Sequence, residues 1–598
     1  MIEDRLKRKY LVMLALILVL ALGLRTYKLT WGLPNEIHPY SYHPDETRLL
    51  QYLGNMHPEK LDFNPDDFAY PTFHLFIVGA ILLLFSKLGF ITLIPDPLFY
   101  ATHPTEFANM ILVGRVISVL FSIGTILVIY QIGKTLYNRR AGLLAALLLA
   151  LNPLDVIESH YFSLDVPMTF WLMIVMLCSV HILYTGRRIW YILGGICIGI
   201  AAATKYPGLI GIVPLGIAHL LWCWKDLKES TRGLYNRLYN FLRSLLSKNL
   251  VCSLIGFVLA SAIGVPYAVL EPTTFANNII TTYTISSGQS VPIPSDYNLG
   301  LASWLLHPNN KLYLYQLIAA IPFSLGIALF GLLGISIVLM IRYTQWKSTL
   351  LLLSLPLAYL IIVGRWNLVF LRYMLPIIPV LLLCCAIGYR IINKMTKHNW
   401  APIILTFIII YTTLFTATLD YKFNDTIDDG FLYVWQNIPE HSVIATTLWS
   451  PLRYTPLQDP AAFINGTLNN KEIIKKRQND ITHNDTIIVP LCLHGICKEY
   501  SVVTMFNPSK TWLDTYNPDY IILSSLITIG DDAPIRDPNA DNERSFYKRF
   551  NQCQSGYYTI AEFDRPYLTE KFYTILDPRF KSLYASPKIS ILKKMNFK

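Results

Sequence analysis

The sequence predicts a polytopic α-helical membrane protein with a soluble α/β domain at its C-terminal end. Three observations carry this. Hydrophobic residues make up 53% of the 598 positions and charged residues only 15%, whereas a soluble chain carries roughly a quarter charged residues. Apolar runs of about 20 residues, long enough to cross a bilayer as a helix, recur as far as residue 420. From Tyr421 onward charges and turn residues rise, and short strand-like runs replace the long apolar ones.

The segments that read as spans are 10–25, 108–136, 140–158, 163–185, 189–204, 207–224, 249–270, 312–341, 349–364, 368–391 and 402–420. The first follows Arg5, Lys7, Arg8 and Lys9, and Leu24-Arg25-Thr26-Tyr27 behind it offers no small-residue cleavage site. It reads as an uncleaved first helix. A further apolar stretch, 73–95, is decided by charge. If it does not cross, Lys134, Arg139, Arg140, Arg187, Arg188, the basic loop Lys225–Lys248, Arg342, Lys347, Arg390, Lys394 and Lys397 all share the side of Arg5. If it crosses, every later basic cluster falls outside. The positive-inside rule therefore favours a re-entrant or interface-lying 73–95. The same rule absorbs the net charge of +11 into cytoplasmic loops, so the excess does not indicate nucleic-acid binding.

This topology divides the chain into a membrane module, 1–420, and an exterior domain, 421–598, with an exterior first loop over 26–107. Strand-like runs in the second part are Ser442–Thr446, Thr486–Val489, Tyr520–Leu523, Tyr557–Ile560 and Ile589–Leu592, with a helical stretch at Gly430–Asn437. Six of the nine cysteines fall in apolar runs. Cys492 and Cys497 are placed to close a small disulfide loop in an oxidising exterior. No zinc-type spacing is present.

The outer helix ends carry ionisable residues that are costly at membrane depth and commonly mark a site. His43-Pro44-Asp45-Glu46-Thr47-Arg48 follows the first span. Glu158, His160 and Asp165 surround the turn between two later spans, with Asp155 just before. Lys205 and Arg372-Tyr373 begin or end others, and Arg115 lies inside one. Plainer readings stand beside these. Arg372 and Lys205 also fit snorkelling side chains, His160 an interface histidine, Asp155 and Glu158 solvated loop charges, and Arg115 the partner of a structural carboxylate. Asp45 and Glu46 also fit a solvated acidic turn, although Pro44 stiffens the approach and Arg48 is close by.

In this order and spacing, His43–Arg48, Asn64-Pro65 with Tyr70-Pro71, Gly114-Arg115, His160-x4-Asp165-x-Pro167, Thr204-Lys205-Tyr206-Pro207-Gly208 and Arg372-Tyr373-x-Leu375-Pro376-x-x-Pro379 form a set. The set resembles the GT-C fold glycosyltransferases related to dolichyl-phosphate-mannose protein mannosyltransferases and the lipid A aminoarabinose transferase. The resemblance covers most of 1–400. It implies a GT-C-like fold with juxtamembrane helices in the first loop and a polyprenyl-phosphate sugar as donor. It also implies Asp45 as the essential first-loop acid and Asp165 as a second acid. The acidic-lysine pair that the aminoarabinose enzyme carries before a first-loop proline is replaced here by Phe68-Ala69-Tyr70-Pro71. A metal site of that kind is therefore not expected from these positions.

Sugar transfer from a lipid phosphate to a hydroxyl needs a proton acceptor, for which Asp45 is the candidate. It needs cations on the leaving phosphate: Arg372 and Lys205, with Arg48 and Arg115 as alternates. It gains from negative charge near the oxocarbenium-like centre, for which Glu46 or Asp165 serves. His43, His160 and Tyr373 complete the candidate substrate contacts. A divalent metal cation is compatible with this set, but no spacing demands one. The expected product is inverted by a single displacement. The expected partners are the lipid-linked donor, a lipid, glycan or protein acceptor, and the bilayer. The expected setting is a bacterial inner membrane with the site on the periplasmic face. The alternatives are a transporter or flippase of a lipid-linked saccharide, or an oligosaccharide polymerase or ligase. Clustering of the charges at one face, without repeated halves, weighs against transport.

Overall fold

The structure is a computed structural model that describes residues 2–35, 41–95, 99–100, 103–229, 247–286, 316–364, 366, 370–396, 400–420, 426–446, 487–493, 496–504, 510–524, 557–563 and 589–595. Among these residues, seven helices are long and apolar enough to cross a membrane, or up to nine if each of two bent pairs counts as one span. The eleven expected segments include two helices, Arg188–Thr204 and Lys248–Gly264, that fall just short of that length at 17 residues each. Many apolar side chains on the outer helices face outward, including Val19 at 68% and Phe407 at 68% exposed. Such surface is stable only against lipid, and the chain is an integral membrane protein.

The helices are α1 (Ile2–Thr26), α2 (Pro44–Gly54), α3 (Phe73–Lys87), α4 (Pro104–Leu136), α5 (Arg139–Ala150) and α6 (Pro153–Ser159). They continue with α7 (Asp165–Thr185), α8 (Arg188–Thr204), α9 (Ile212–Glu229) and α10 (Lys248–Gly264). Past Pro272–Ser286, a π turn (Gln316–Ala320) leads into the short helix Ile321–Leu325. Ile327–Tyr343, Trp346–Val363, a 3-10 turn over Leu371–Ile377, Ile378–Met395 and Trp400–Asp420 complete the membrane part.

Two expected spans are broken. The run 140–158 bends by 58° between α5 and α6. Asn152 caps α6 by accepting from the Asp155 amide, with Pro153 at the first helical position, a strong start signal inside an apolar run. The run 312–341 turns by 114° at Gly326, whose φ of +80° suits glycine and few other residues. Within 73–95, α3 covers 15 residues, about 22 Å of helix, short of the roughly 30 Å hydrocarbon core.

Close packing fixes the helices that carry the ionisable residues. Gly195 and Gly199 of α8 let it lie against α10; a Cβ at Gly195 would stand 2.0 Å from the Ser253 carbonyl oxygen. This is the small-xxx-small contact of membrane helix pairs. Arg25, at the end of α1, is fully buried. It donates to the carbonyls of Leu149 and Ala150 at 3.1 and 3.0 Å and to Asp155 at 2.5 Å. One guanidinium thus satisfies carbonyls freed where α5 ends and anchors α6 through Asp155. Asp155 is therefore a buried structural partner, not a solvated loop charge.

Beyond residue 420, helix Thr426–Asn437 precedes a six-stranded mixed sheet. The strands are β1 (Val443–Thr446), β2 (Ile487–Leu493), β3 (Ile496–Thr504), β4 (Tyr520–Ser524), β5 (Tyr557–Phe563) and β6 (Ile589–Lys594), in the order β2-β3-β1-β4-β6-β5. β1 runs parallel to β3 and β4, and the other pairings are antiparallel. Phe431 and Val434 of the helix pack on Ile444, Ile522, Ile589 and Ile591. The β2–β3 register sets Cys492 opposite Cys497; their side chains lie outside the described residues. The Tyr42 hydroxyl of the first loop hydrogen-bonds Asp428.

Candidate active site

Pro44 starts α2 at its first helical position, and Asp45 and Glu46 occupy the first turn, where the helix dipole favours negative charge. Successive helical residues project about 100° apart, and the two acids part company. Glu46 turns inward and is fully buried. Arg115 of α4 grips it with two parallel bonds, Nε to Oε1 and Nη2 to Oε2, both 2.8 Å. The Phe162 amide donates to Oε1 at 2.7 Å and the Ser41 hydroxyl donates to Oε2. Arg115 also donates to the carbonyls of Leu29 and Trp31 at 2.7 and 2.6 Å. Burial alone would raise the Glu46 carboxyl, but Arg115, with help from His43 and Ser41, holds it below its usual value. Both oxygens are spent on this clamp, so Glu46 is not placed for the charge-stabilising role expected of it, and Arg115 is not a free phosphate ligand.

Asp45 faces a different side, into a network of charge. Its Oδ2 lies 2.8 Å from Arg372 Nη1. Arg372 Nε lies 4.0 Å from Asp165 Oδ2, and Lys205 Nζ donates to both Asp165 oxygens at 2.7 Å. Four elements thus meet: α2, the start of α7, the residue ending α8, and the 3-10 turn that carries Arg372. Burial raises the Asp45 carboxyl, but Arg372 first, then His43, Lys205 and Arg48, hold it below its usual value. Tyr373 stacks beside Lys205, whose Nζ is 5.5 Å from the ring centroid. Tyr70 completes the wall; burial, followed by the Asp45 charge, pushes its hydroxyl up to about 12.

The remaining candidates lie around this network. His160 has its ring nitrogens 2.8 Å from the carbonyls of Val156 and Tyr27. Burial pushes it down to about 4 against the pull of both carbonyls; its two ring nitrogens face the backbone, so it is not placed as a phosphate ligand. His43 is buried with its ring 4.3 Å from that of Tyr161, and burial holds it below its usual value against the pull of Asp45 and Glu46. Arg48 is exposed, pairs with Asp67 at 2.9 Å, and lies over the Tyr70 ring at 5.3 Å. It borders the site through Tyr70 without entering it. Glu158 was expected as a solvated loop charge but is buried, its Oε2 without a hydrogen-bond partner. The charges acting on it are Arg372, Asp165, Lys205 and Asp45.

Among the described residues, no group of three or more His, Cys, Asp or Glu side chains is placed to hold a metal ion. The positive charge of the network comes from Arg372 and Lys205. What the arrangement offers is a base of low proton affinity beside two cations able to receive a phosphate.

Residues 96–267, which hold Arg115, Glu158, Asp165 and Lys205, match the family model of dolichyl-phosphate-mannose-protein mannosyltransferases. No curated protein matches the sequence. Among solved structures the chain is similar to ArnT from Cupriavidus metallidurans bound to undecaprenyl phosphate, at 14% identity over 71% of each chain with a TM-score of 0.43. It is also similar to the apo oligosaccharyltransferase of Archaeoglobus fulgidus, at 12% identity over 98% of this chain and 88% of that one, with a TM-score of 0.45. With its membrane-helical fold and this family match, the chain is a membrane glycosyltransferase resembling the dolichyl-phosphate-mannose-protein mannosyltransferases.

Proposed function

We propose that this enzyme moves a sugar from a polyprenyl-phosphate donor to an acceptor hydroxyl by inverting single displacement. The observation that carries the reading is the continuous network Asp45–Arg372–Asp165–Lys205, with its closest contacts at 2.7 and 2.8 Å. Arg372 and Lys205 receive the donor phosphate and offset the negative charge that grows on it as the glycosidic bond breaks. Asp165 holds Lys205 in place and lends negative charge near the anomeric carbon. Asp45 takes the proton of the attacking hydroxyl.

Substrate order follows from the Asp45–Arg372 pair. While Arg372 holds Asp45, the carboxylate is a poor base. A donor phosphate competing for the guanidinium releases Asp45 and raises its basicity as the acceptor arrives. Donor therefore binds before acceptor.

The positive-inside pattern supports an exterior site, periplasmic in a bacterial inner membrane, and an exterior domain over 421–598 beside the membrane module 1–420. A reporter fused after Arg140 tests the orientation and should signal from the cytoplasm; an exterior signal would sink it. For the reaction, purified full-length protein is incubated with labelled polyprenyl-phosphate sugars and candidate acceptors. The expected result is release of polyprenyl phosphate with formation of a glycoside of inverted anomeric configuration. Retention of configuration would contradict the single displacement, and movement of intact donor across a vesicle without cleavage would favour transport.

A further inference from the structure

Glu158 lies in the segment that matches the family model, and the mechanism above leaves it without a task. It lies in the last turn of α6, a helix fixed at both ends. Asn152 and Pro153 start it, Arg25 holds Asp155 at 2.5 Å, and His160 ties the exit to the Val156 and Tyr27 carbonyls. The Glu158 side chain is thus presented by a rigid element. It is 8% exposed, and its Oε2 is buried with no hydrogen-bond partner. Buried carboxylate oxygens are nearly always satisfied, so an open one inside a charged site needs a reason.

A second open group lies in the same network. Among the described residues Arg372 Nε is also buried without a hydrogen-bond partner, with Asp165 Oδ2 at 4.0 Å. α6, which carries Glu158, packs against the 3-10 turn that carries Arg372. The site therefore leaves open one oxygen, on Glu158, and one strong donor, on Arg372. A glycosyl phosphate carries the complement: phosphate oxygens that accept and, on the ring beside them, hydroxyls that donate. That packing sets Glu158 beside the turn of the phosphate-binding cation, which favours the donor sugar over the acceptor.

The geometry points to Glu158 as a donor-sugar-binding residue, its Oε2 accepting a hydrogen bond from a hydroxyl of the transferred sugar while Arg372 holds the phosphate. This rests on the lipid-phosphate donor reading and assigns one residue to sugar recognition.

The test uses full-length protein, wild type, Glu158→Gln and Glu158→Ala, with polyprenyl-phosphate hexoses and their monodeoxy analogues. Wild type should lose about 10- to 100-fold in kcat/KM on one deoxy analogue. Glu158→Ala should lose a similar factor on the parent donor and treat parent and that analogue alike. Glu158→Gln keeps an amide oxygen as acceptor and should recover part of the discrimination, which also covers the case in which the alanine variant fails to fold. If either folded variant distinguishes the analogues as wild type does, the residue does not read the sugar and the assignment is overturned. A wild type that cleaves none of the parent donors sinks the donor reading itself, and this assignment with it.

Discussion

Replacing Asp45 with Asn removes the negative partner of Arg372 while keeping the side chain's shape. In the free enzyme the two are 2.8 Å apart, with side chains 18% and 27% exposed for Arg372 and Asp45. Two unit charges about 4 Å apart attract by about 4 kcal/mol at an effective dielectric near 20. Part of that is offset by desolvation, and Arg372 retains Asp165 at 4.0 Å in either protein. The surplus that a donor phosphate must overcome is about 1–2 kcal/mol, between the values for exposed and fully buried pairs. Asp45→Asn should therefore bind a short-chain polyprenyl phosphate about 5- to 30-fold more tightly than wild type. Titration calorimetry in detergent, with the unsubstituted polyprenol as control, measures this. Unchanged or weaker binding by Asp45→Asn would refute the competition between carboxylate and phosphate, and with it the ordered release of the base.

Two further outcomes follow from the same contacts. Glu46→Ala strands the Arg115 charge in a buried setting and should destabilise the protein by about 3–5 kcal/mol, read as a large drop in thermal unfolding temperature in detergent; a variant as stable as wild type would remove the clamp. Asp45 must be ionised to act as a base and is held below its ordinary value of 3.8. Activity should therefore be retained at pH values above that depressed value and lost as pH falls through it, so the acid limb of kcat/KM lies below about pH 4. Arg372→Gln leaves burial as the dominant influence and should move that limb upward in whatever activity remains; a limb that stays put would show that Arg372 does not set it.

Much of the site was legible in the sequence because its members stand at helix ends beside recognisable punctuation. Pro44 before Asp45, Pro207 after Lys205 and Pro376 after Arg372 mark where chains leave the bilayer, and charge counting put those ends on one face. Asp45 and Glu46 look equivalent as adjacent letters. Only a helix starting at Pro44 sends one into the network and the other into the Arg115 clamp, across 69 positions of sequence. Asp155 and Glu158 read as solvated loop charges because they stand at the end of the run 140–158, beside the turn that follows it. The Asn152-Pro153 start signal inside that run is the mark of a break, and a break is what buries both acids. In the C-terminal domain, β3 went unrecognised because Lys498 and Glu499 interrupt its apolar pattern, while its pairing with β1 and β2 is set by neighbours distant in sequence.

The central claim is that Asp45 supplies the base for transfer from a lipid phosphate. Its most direct measurement is single-turnover release of polyprenyl phosphate from a saturating donor and acceptor, wild type against Asp45→Asn, in samples of matched folding and detergent state. The account predicts a loss of about 10²–10⁴-fold in the Asn variant with donor still bound. Turnover within a few fold of wild type would contradict it.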